Sequence, residues 1–158
     1  MILLVVGLFA AAAWVYTSQS KEENTVQIYF FKGAKLTAVN RPITPNEQPL
    51  TKAIKELLSG PTKEEAQQGV VSYLPGGTKV SNVRASGRTA IINFNSKLED
   101  YGGGTARVEG MIAQIVYTTT GISGIDKAWI WMNGEKEIVL GGEGLVLDKP
   151  LGRADISY

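Results

Sequence analysis

Apolar and polar residues alternate in several short segments of the chain, and this alternation predicts β-strands. In VQIYFF, it places Val26, Ile28 and Phe30 on one face, and a second extended stretch, KLTAVNRPI, follows. Further along, KVSNVRAS and RTAIINFN predict two strands joined by a tight turn at Ser86-Gly87. The segment IDKAWIWMNGEKEIVLGG predicts another hairpin, with its turn at Asn133-Gly134.

Two segments instead repeat their apolar residues at helical spacing. The first begins at Pro49, stops at Gly60-Pro61 and carries one apolar stripe of Leu50, Ala53, Ile54, Leu57 and Leu58. After it, Thr62–Glu65 has the spacing of a capping box and predicts a further short turn of helix. The second long helix ends before Gly121 and carries the stripe Val108, Met111, Ile112, Ile115 and Val116.

The order of these elements is strand, strand, helix, hairpin, helix, hairpin. It predicts an α+β fold in which an antiparallel sheet carries both amphipathic helices on one face. The tail LVLDKPLGRADISY is apolar and then polar, so it fits either a final edge strand or an extended closing segment.

The first 16 residues, MILLVVGLFAAAAWVY, contain no charged side chain. We interpret residues 1–18 as a membrane anchor or signal segment, 19–24 as a linker and 25–158 as one exported domain. Three alternatives stay open for the first segment: an uncleaved signal-anchor, a cleaved signal peptide and a buried core helix. Under the first two, the domain lies outside the cytoplasm, and the first makes the chain a single-pass membrane protein.

Composition argues against several classes of function. The net charge of +1, from 16 basic and 15 acidic residues, is not that of a nucleic-acid-binding protein. Histidine and cysteine are both absent, which excludes a Ser-His-Asp triad, a cysteine nucleophile and metal sites that need imidazole or thiolate. We therefore expect no enzymatic activity, no metal and no cofactor.

The stretch EDYGGGTARVEGM places three glycines before the second long helix, as phosphate-binding loops do. It lacks the Lys-Ser/Thr that a Walker-type loop requires, so we interpret the glycines as a helix start with Gly104 or Thr105 as N-cap. The neighbouring carboxylates Glu99 and Asp100 are interpreted as solvated surface charges. A glycosidase using Glu99 or Asp100 is the least favoured alternative.

Tryptophan marks the candidate binding site. In AWIWM, alternation directs Ala128, Ile130 and Met132 toward the helices and the two indoles toward the open face of the sheet. The same register predicts an exposed aromatic patch formed by Trp129, Trp131, Tyr29, Phe31 and Ile91. Such a patch is typical of a partner surface or an aromatic ligand platform. The alternative is that the apolar tail, or the opposite register, covers it.

The motifs VQIYFF, AIKELLSGP, LPGGTKV, AIINFNS, AQIVYTTTG, MNG and KPLGR occur in the order found in the GerMN domain, which this chain resembles from about Val26 to Arg153. The resemblance implies an α+β domain similar to the ring-building motif, used in sporulation, spore germination and envelope assemblies, with no catalytic residues. It also supports the inward register of Ala128, Ile130 and Met132. Many members are anchored through a lipidated cysteine, which this chain lacks, and tandem domains occur where this chain has one.

Together, these observations predict a membrane-anchored, extracytoplasmic scaffold domain of a bacterial envelope assembly. Its expected partner is another envelope protein or a second copy of the chain, with no role for nucleic acid. The alternative function is a cell-wall module in which Trp129 and Trp131 stack on the sugar rings of a peptidoglycan or other glycan.

Overall fold

A computed structural model describes residues 24–140 and 144–158 of the chain. The helices are α1 (Pro49–Ser59), α2 (Lys63–Gln67) and α3 (Thr105–Thr120), and the strands are β1 (Thr25–Lys32), β2 (Lys35–Pro42), β3 (Val70–Val71), β4 (Val80–Ser86), β5 (Thr89–Phe94), β6 (Lys127–Met132), β7 (Ile138–Leu140) and β8 (Leu145–Leu147). The predicted anchor, residues 1–18, and all of the predicted linker except Asn24 lie outside the described residues. Among the helices of residues 24–140 and 144–158, none combines the length and the hydrophobicity that a membrane span requires.

The helix boundaries follow the signals read from the sequence. Helix α1 has Pro49 in its first turn and ends at Gly60, whose φ of 78° requires the left-handed freedom of glycine. In α2, the predicted capping box is formed: the Thr62 hydroxyl accepts from the Glu65 amide, and the Glu65 carboxylate accepts from the Thr62 amide. Helix α3 begins directly after Gly104, so the three glycines do start a helix.

The predicted apolar faces meet in one core. Helices α1 and α3 pack against each other and against β1, and α3 also packs against β6. Alternate residues of the strands point into this core, and both predicted helix stripes contribute to it; its fully buried members include Ile28, Phe30, Ile54, Leu57, Ile92, Phe94, Met111, Ile115 and Ala128. The α+β class is confirmed.

The strand pairing differs from the prediction in three respects. The strands form three sheets rather than one, with the orders β2-β1-β3, β4-β5-β6 and β7-β8, and the β5–β6 pair is parallel while the other pairs are antiparallel. The turn at Asn133-Gly134 does form, but beyond Glu135 the chain leaves β6, and β7 pairs with β8 instead. The reason is that β6 already pairs with β5 on one edge and meets Leu151 of the tail on the other.

The tail serves both of the roles predicted for it. Residues Leu145–Leu147 form β8, the second strand of the β7–β8 ribbon. Leu151 then exchanges two backbone hydrogen bonds of 2.8 Å with Ala128, and Tyr158 contacts the ring of Phe31. The tail thus closes the domain across elements that are far apart in sequence.

Helix α3 also completes the edge of β1 with two fully buried polar side chains. The Thr118 hydroxyl accepts a hydrogen bond from the Tyr29 amide at 2.9 Å, and the Gln114 side-chain amide donates to the Tyr29 carbonyl at 3.0 Å. The Gln114 carbonyl oxygen in turn accepts from the Tyr73 amide at 2.6 Å. Strand β3 reaches only Phe31 and Lys32 of β1, so these side chains replace a neighbouring strand at Tyr29.

An ion cluster joins β2 to α1 and α2. Arg41 makes two hydrogen bonds, of 2.7 and 2.6 Å, to the Glu65 carboxylate and lies 3.4 Å from Glu56. The side-chain hydrogen bond from Arg41 is the main reason that the pKa of Glu65 lies below its ordinary value of 4.5. A carboxylate with a lowered pKa stabilises the fold above its unfolded-state pKa, and this contribution is lost as the pH falls through the folded-state pKa.

We therefore predict that Glu65→Gln lowers the free energy of unfolding at neutral pH and that the difference from wild type shrinks below about pH 4.5. Glutamine keeps one oxygen for the Thr62 amide and removes the charge together with one of the two acceptors of Arg41, and only the loss of the charge depends on pH. Urea unfolding at a series of pH values measures the difference. Glu64→Gln, at an exposed neighbouring position, is the control and should show little dependence on pH. A constant difference for Glu65→Gln down to pH 2.5 would contradict the prediction.

Candidate functional site

The outer face of the β4-β5-β6 sheet carries the predicted tryptophans. Ala128 and Ile130 are buried in the core, at 0% and 2% exposure, so the intervening Trp129 and Trp131 point away from it and are partly exposed. The inward register predicted for β6 is therefore confirmed. Across the strands, Trp129 lies opposite Ile91 and Trp131 lies opposite Asn93.

The two indoles pack edge to face, with ring centroids 5.3 Å apart and an interplanar angle of 87°. The Trp129 Nε1–H donates to the Lys136 carbonyl at 3.3 Å, which ties the ring to the chain that follows the turn. The Trp131 Nε1 atom is buried and has no hydrogen-bond partner within the described residues. The pair therefore forms a ridged surface and not a flat platform.

Two cations lie over the Trp131 ring. The Arg84 guanidinium is 5.6 Å from the ring centroid, and the Lys136 ammonium is 5.1 Å from it. Both distances allow cation–π attraction, which is worth roughly 0.5–1 kcal/mol at exposed sites. The site is therefore a combined aromatic and cationic surface, and we call Arg84, Trp129, Trp131 and Lys136 the tryptophan cluster.

The backbone turn beneath the cluster is held by Asn93. Its side-chain oxygen accepts from the Gly134 amide at 2.9 Å, and its side-chain nitrogen donates to the Ser81 hydroxyl at 2.8 Å. Asn133 and Gly134 both have positive φ values, 50° and 89°, as a type I′ turn requires. Because this turn reverses the chain direction, Lys136 lies over the Trp131 ring.

The structure does not join all five predicted residues into one exposed patch. Ile91 belongs to the same face as Trp129, but it is only 6% exposed. Tyr29 and Phe31 belong to a different sheet, β2-β1-β3. Phe31 is only 1% exposed because Tyr73 stacks on it at 4.4 Å and Tyr158 packs edge-on at 5.3 Å. The prediction that Phe31 and Ile91 are exposed is therefore wrong.

Tyr29 contributes to a second, smaller cluster. Its ring lies 5.5 Å from that of Tyr117, and the Arg153 guanidinium lies over both rings, at 5.4 and 4.8 Å. Arg153 also donates to the Thr120 hydroxyl and to the Tyr117 carbonyl. These contacts attach the tail to α3, so Tyr29, Tyr117 and Arg153 have a structural role in holding the tail in place.

Sequence reasoning missed the cations of the tryptophan cluster. Arg84 could have been found, because the tight turn after Ser86 fixes the hairpin register that places Arg84 opposite Ile91. Lys136 has no such signal, since it follows a turn and belongs to no strand. Of the two carboxylates considered for chemistry, Asp100 pairs with Lys97 at 2.6 Å in an exposed position.

The comparisons with known proteins agree with this architecture. Residues 27–138 match the sequence model of the family described as Germane: Sporulation and spore germination. The structure is similar to the first GerMN domain of the sporulation protein GerM from Bacillus subtilis, with 26% identity, a TM-score of 0.69 and coverage of 83% of this chain and 98% of that one. No curated protein matches the chain.

Two further solved structures share the fold. The tandem GerMN domains of Bacillus subtilis GerM match with 25% identity and a TM-score of 0.70, over 83% of this chain and 46% of the tandem. A Clostridium perfringens protein provisionally described as a lipoprotein matches with 21% identity and a TM-score of 0.61, over 84% and 90% of the two chains. Because the family match covers well over half of the 158 residues, the chain belongs to the Germane family of sporulation and spore-germination domains.

Proposed function

We propose that this chain is a membrane-anchored, extracytoplasmic domain that supplies protein–protein contacts to a sporulation-related envelope assembly. The observation that carries the proposal is the tryptophan cluster, because two partly exposed indoles face away from the core and two cations lie over one of them. Tryptophan and arginine are the residues most enriched among those that dominate binding energy at protein interfaces. The likeness to the sporulation protein GerM supports the biological setting.

The extracytoplasmic location rests on the sequence of the N-terminal segment. Residues 1–16 contain no charged side chain, and a polar stretch precedes the first strand. The proposal needs no catalytic chemistry, in keeping with a chain that has neither histidine nor cysteine. Residues that bind a partner lie on the protein surface, and the tryptophan cluster lies there.

We predict that the double substitution Trp129→Ala and Trp131→Ala abolishes the association of the full chain, with itself or with its envelope partner, while the domain stays folded. Both side chains lie on the outer face, so their removal leaves the core residues Ala128 and Ile130 in place. Sedimentation velocity in density-matched detergent, with cross-linking in membranes, measures the association. Circular dichroism and a thermal unfolding curve monitor the fold.

The matched control is Val139→Ala with Val146→Ala. These valines are cross-strand partners on the β7–β8 ribbon and are 55% and 48% exposed. Because they lie on a different sheet, their loss removes exposed apolar surface without altering the tryptophan cluster. Association that is unchanged in the tryptophan variant, or lost equally in the valine variant, would overturn the assignment of the interface.

A glycan-binding role is the second candidate, and the partly exposed indoles favour it. The geometry is less suitable for stacking sugars, since the rings are perpendicular and two cations already lie over Trp131. Titration with peptidoglycan fragments, followed by tryptophan fluorescence, distinguishes the two functions. Saturable quenching would support the glycan role, and its absence at millimolar fragment would count against it.

A further inference from the structure

Strand β4 is the outer strand of its sheet, and part of its backbone faces away from the neighbouring strand. In the β4–β5 hairpin, Ser86 and Thr89 flank a two-residue turn, so they form a hydrogen-bonded pair. Hydrogen-bonded and non-bonded pairs alternate along an antiparallel ladder. The amide and carbonyl groups of Val83 and Ala85 therefore point outward, and no described residue bonds to them on that side.

Helix α1 packs against β4, but Arg84, Ala85 and Ser86 stay exposed, so this edge is only partly protected against pairing with another strand. Natural proteins protect such edges with bulges, prolines, charges or covering segments. Strand β4 has an irregularity between Val80 and Asn82, but the pairing from Asn82 to Ser86 is regular. An incoming strand of about five residues would find continuous backbone partners there.

The two cations of the tryptophan cluster lack a salt bridge among the described residues. Arg41, Arg88, Lys52 and Lys97 each have a carboxylate within 4.0 Å. Within the described ranges, Arg84 and Lys136 have none, although Glu135 and Glu137 flank Lys136 in sequence. Arg84 lies on β4 itself, and its guanidinium points over the sheet to Trp131. Arg84 thus offers, on the edge strand itself, a positive charge that has no salt-bridge partner among the described residues.

We propose that the edge of β4 binds an extended acidic segment of the partner protein, which adds to the β4-β5-β6 sheet as a fourth strand. This proposal rests on the proposed function and names the chemistry of the partner. Side chains alternate along a strand, so every second residue of the segment lies on the face of Arg84 and Trp131. A carboxylate at one of those positions pairs with Arg84 once the guanidinium turns from the Trp131 ring toward the edge, and Lys136, farther across the sheet, adds longer-range attraction.

The test uses the full chain in non-ionic detergent with Trp14→Phe as background, so that the fluorescence reports Trp129 and Trp131. The probe is a nine-residue synthetic peptide that alternates glutamate with threonine. We expect a saturable fluorescence change with a dissociation constant below about 1 mM. The same peptide with glutamine in place of glutamate should bind at least about tenfold more weakly, and so should the acidic peptide to Arg84→Gln. Lys136→Gln should have a smaller effect, and added salt should weaken binding.

Two further reagents test the backbone pairing. An acidic peptide methylated at alternate backbone nitrogens keeps its charge but loses the donors that a strand needs, so it should not bind. Ala85→Pro removes an outward-facing amide of β4 while leaving the β4–β5 ladder and Arg84 in place, and it should abolish binding. Because the methylated peptide leaves the protein unchanged, the test does not depend on whether Ala85→Pro folds.

The results distinguish failure of strand addition, failure of the acidic partner and failure of the proposed interface. Equal binding of the methylated peptide would overturn strand addition, and equal binding of the glutamine peptide would overturn the acidic partner. Absence of saturation by the acidic peptide would overturn the whole inference. If association is lost in the Trp129→Ala, Trp131→Ala variant while no acidic peptide binds, the proposed function stands and this inference fails. If the association survives that substitution, the proposed interface fails whatever the peptides do.

Discussion

Gly110→Ala is expected to lower the free energy of unfolding by about 2 kcal/mol, although the same change usually stabilises a helix by roughly 1 kcal/mol. Gly110 is buried within α3, against the aromatic rings that cover β1. A Cβ atom there would lie 2.6 and 2.8 Å from two ring carbons of Tyr73 and 3.2 Å from a ring carbon of Phe31. Tyr73 cannot simply swing away, because its ring is stacked on Phe31 and also contacts the Arg107 guanidinium.

Chemical denaturation of wild type and variant measures this effect. Gly102→Ala is the control, since a Cβ there meets no atom within 4 Å and the backbone is not in the left-handed region. The penalty should also shrink when Tyr73 is replaced by alanine, because the clash then disappears. A coupling of about 1 kcal/mol or more in that double-mutant cycle is expected. A Gly110→Ala protein as stable as wild type would show that the aromatic stack is free to move.

Features that depend on residues close together in sequence were predicted correctly, whereas contacts between distant parts of the chain were not. Apolar periodicity correctly predicted the buried stripe of α1 and the inward register of β6, because each depends only on residues a few positions apart. It also placed Phe31 on the face opposite Phe30, which agrees with its absence from the main core. It could not show that Phe31 is covered, since Tyr73 and Tyr158 come from distant parts of the chain.

Strand pairing was unpredictable for the same reason. The Asn133-Gly134 turn is a strong hairpin signal, and the turn does form with positive φ at both residues. A turn fixes only the residues next to it, however, and the rest of β6 is paired by β5 and by Leu151. Competition for the two edges of β6 is settled by the tertiary fold, which the local pattern does not contain.

The buried polar side of helix α3 was the feature that the sequence pattern predicted least well. Gly110, Gln114 and Thr118 are spaced four residues apart, so they share one side of α3. A small residue followed by two polar ones has no apolar signal, and this stripe was not recognised from the sequence. In the structure, all three are buried, and the stripe contacts Tyr73 and the edge of β1.

The two polar members of this stripe should therefore be as important for stability as core residues. Gln114→Leu would leave the Tyr29 carbonyl and the Tyr73 amide without their hydrogen-bond partner. Each unsatisfied buried backbone group costs about 1–3 kcal/mol, so we expect a loss of at least about 2 kcal/mol. Thr118→Val, which removes only the acceptor of the Tyr29 amide, should cost about 1–2 kcal/mol. Urea unfolding measures both losses.

Thr119 provides a matched control at the neighbouring position. Both threonines are fully buried, and valine replaces either with nearly the same shape. The Thr119 hydroxyl donates at 2.6 Å to the Ile115 carbonyl, which already accepts a hydrogen bond within the helix. Thr119→Val therefore leaves no backbone group without a partner and should lower the free energy of unfolding by less than about 1 kcal/mol. Hydrogen exchange adds a local readout, because the Tyr29 amide should lose protection in Thr118→Val and keep it in Thr119→Val. Equal costs for the two valines, with Tyr29 protected in both, would mean that water replaces the hydroxyl and that α3 does not serve as the missing strand beside β1.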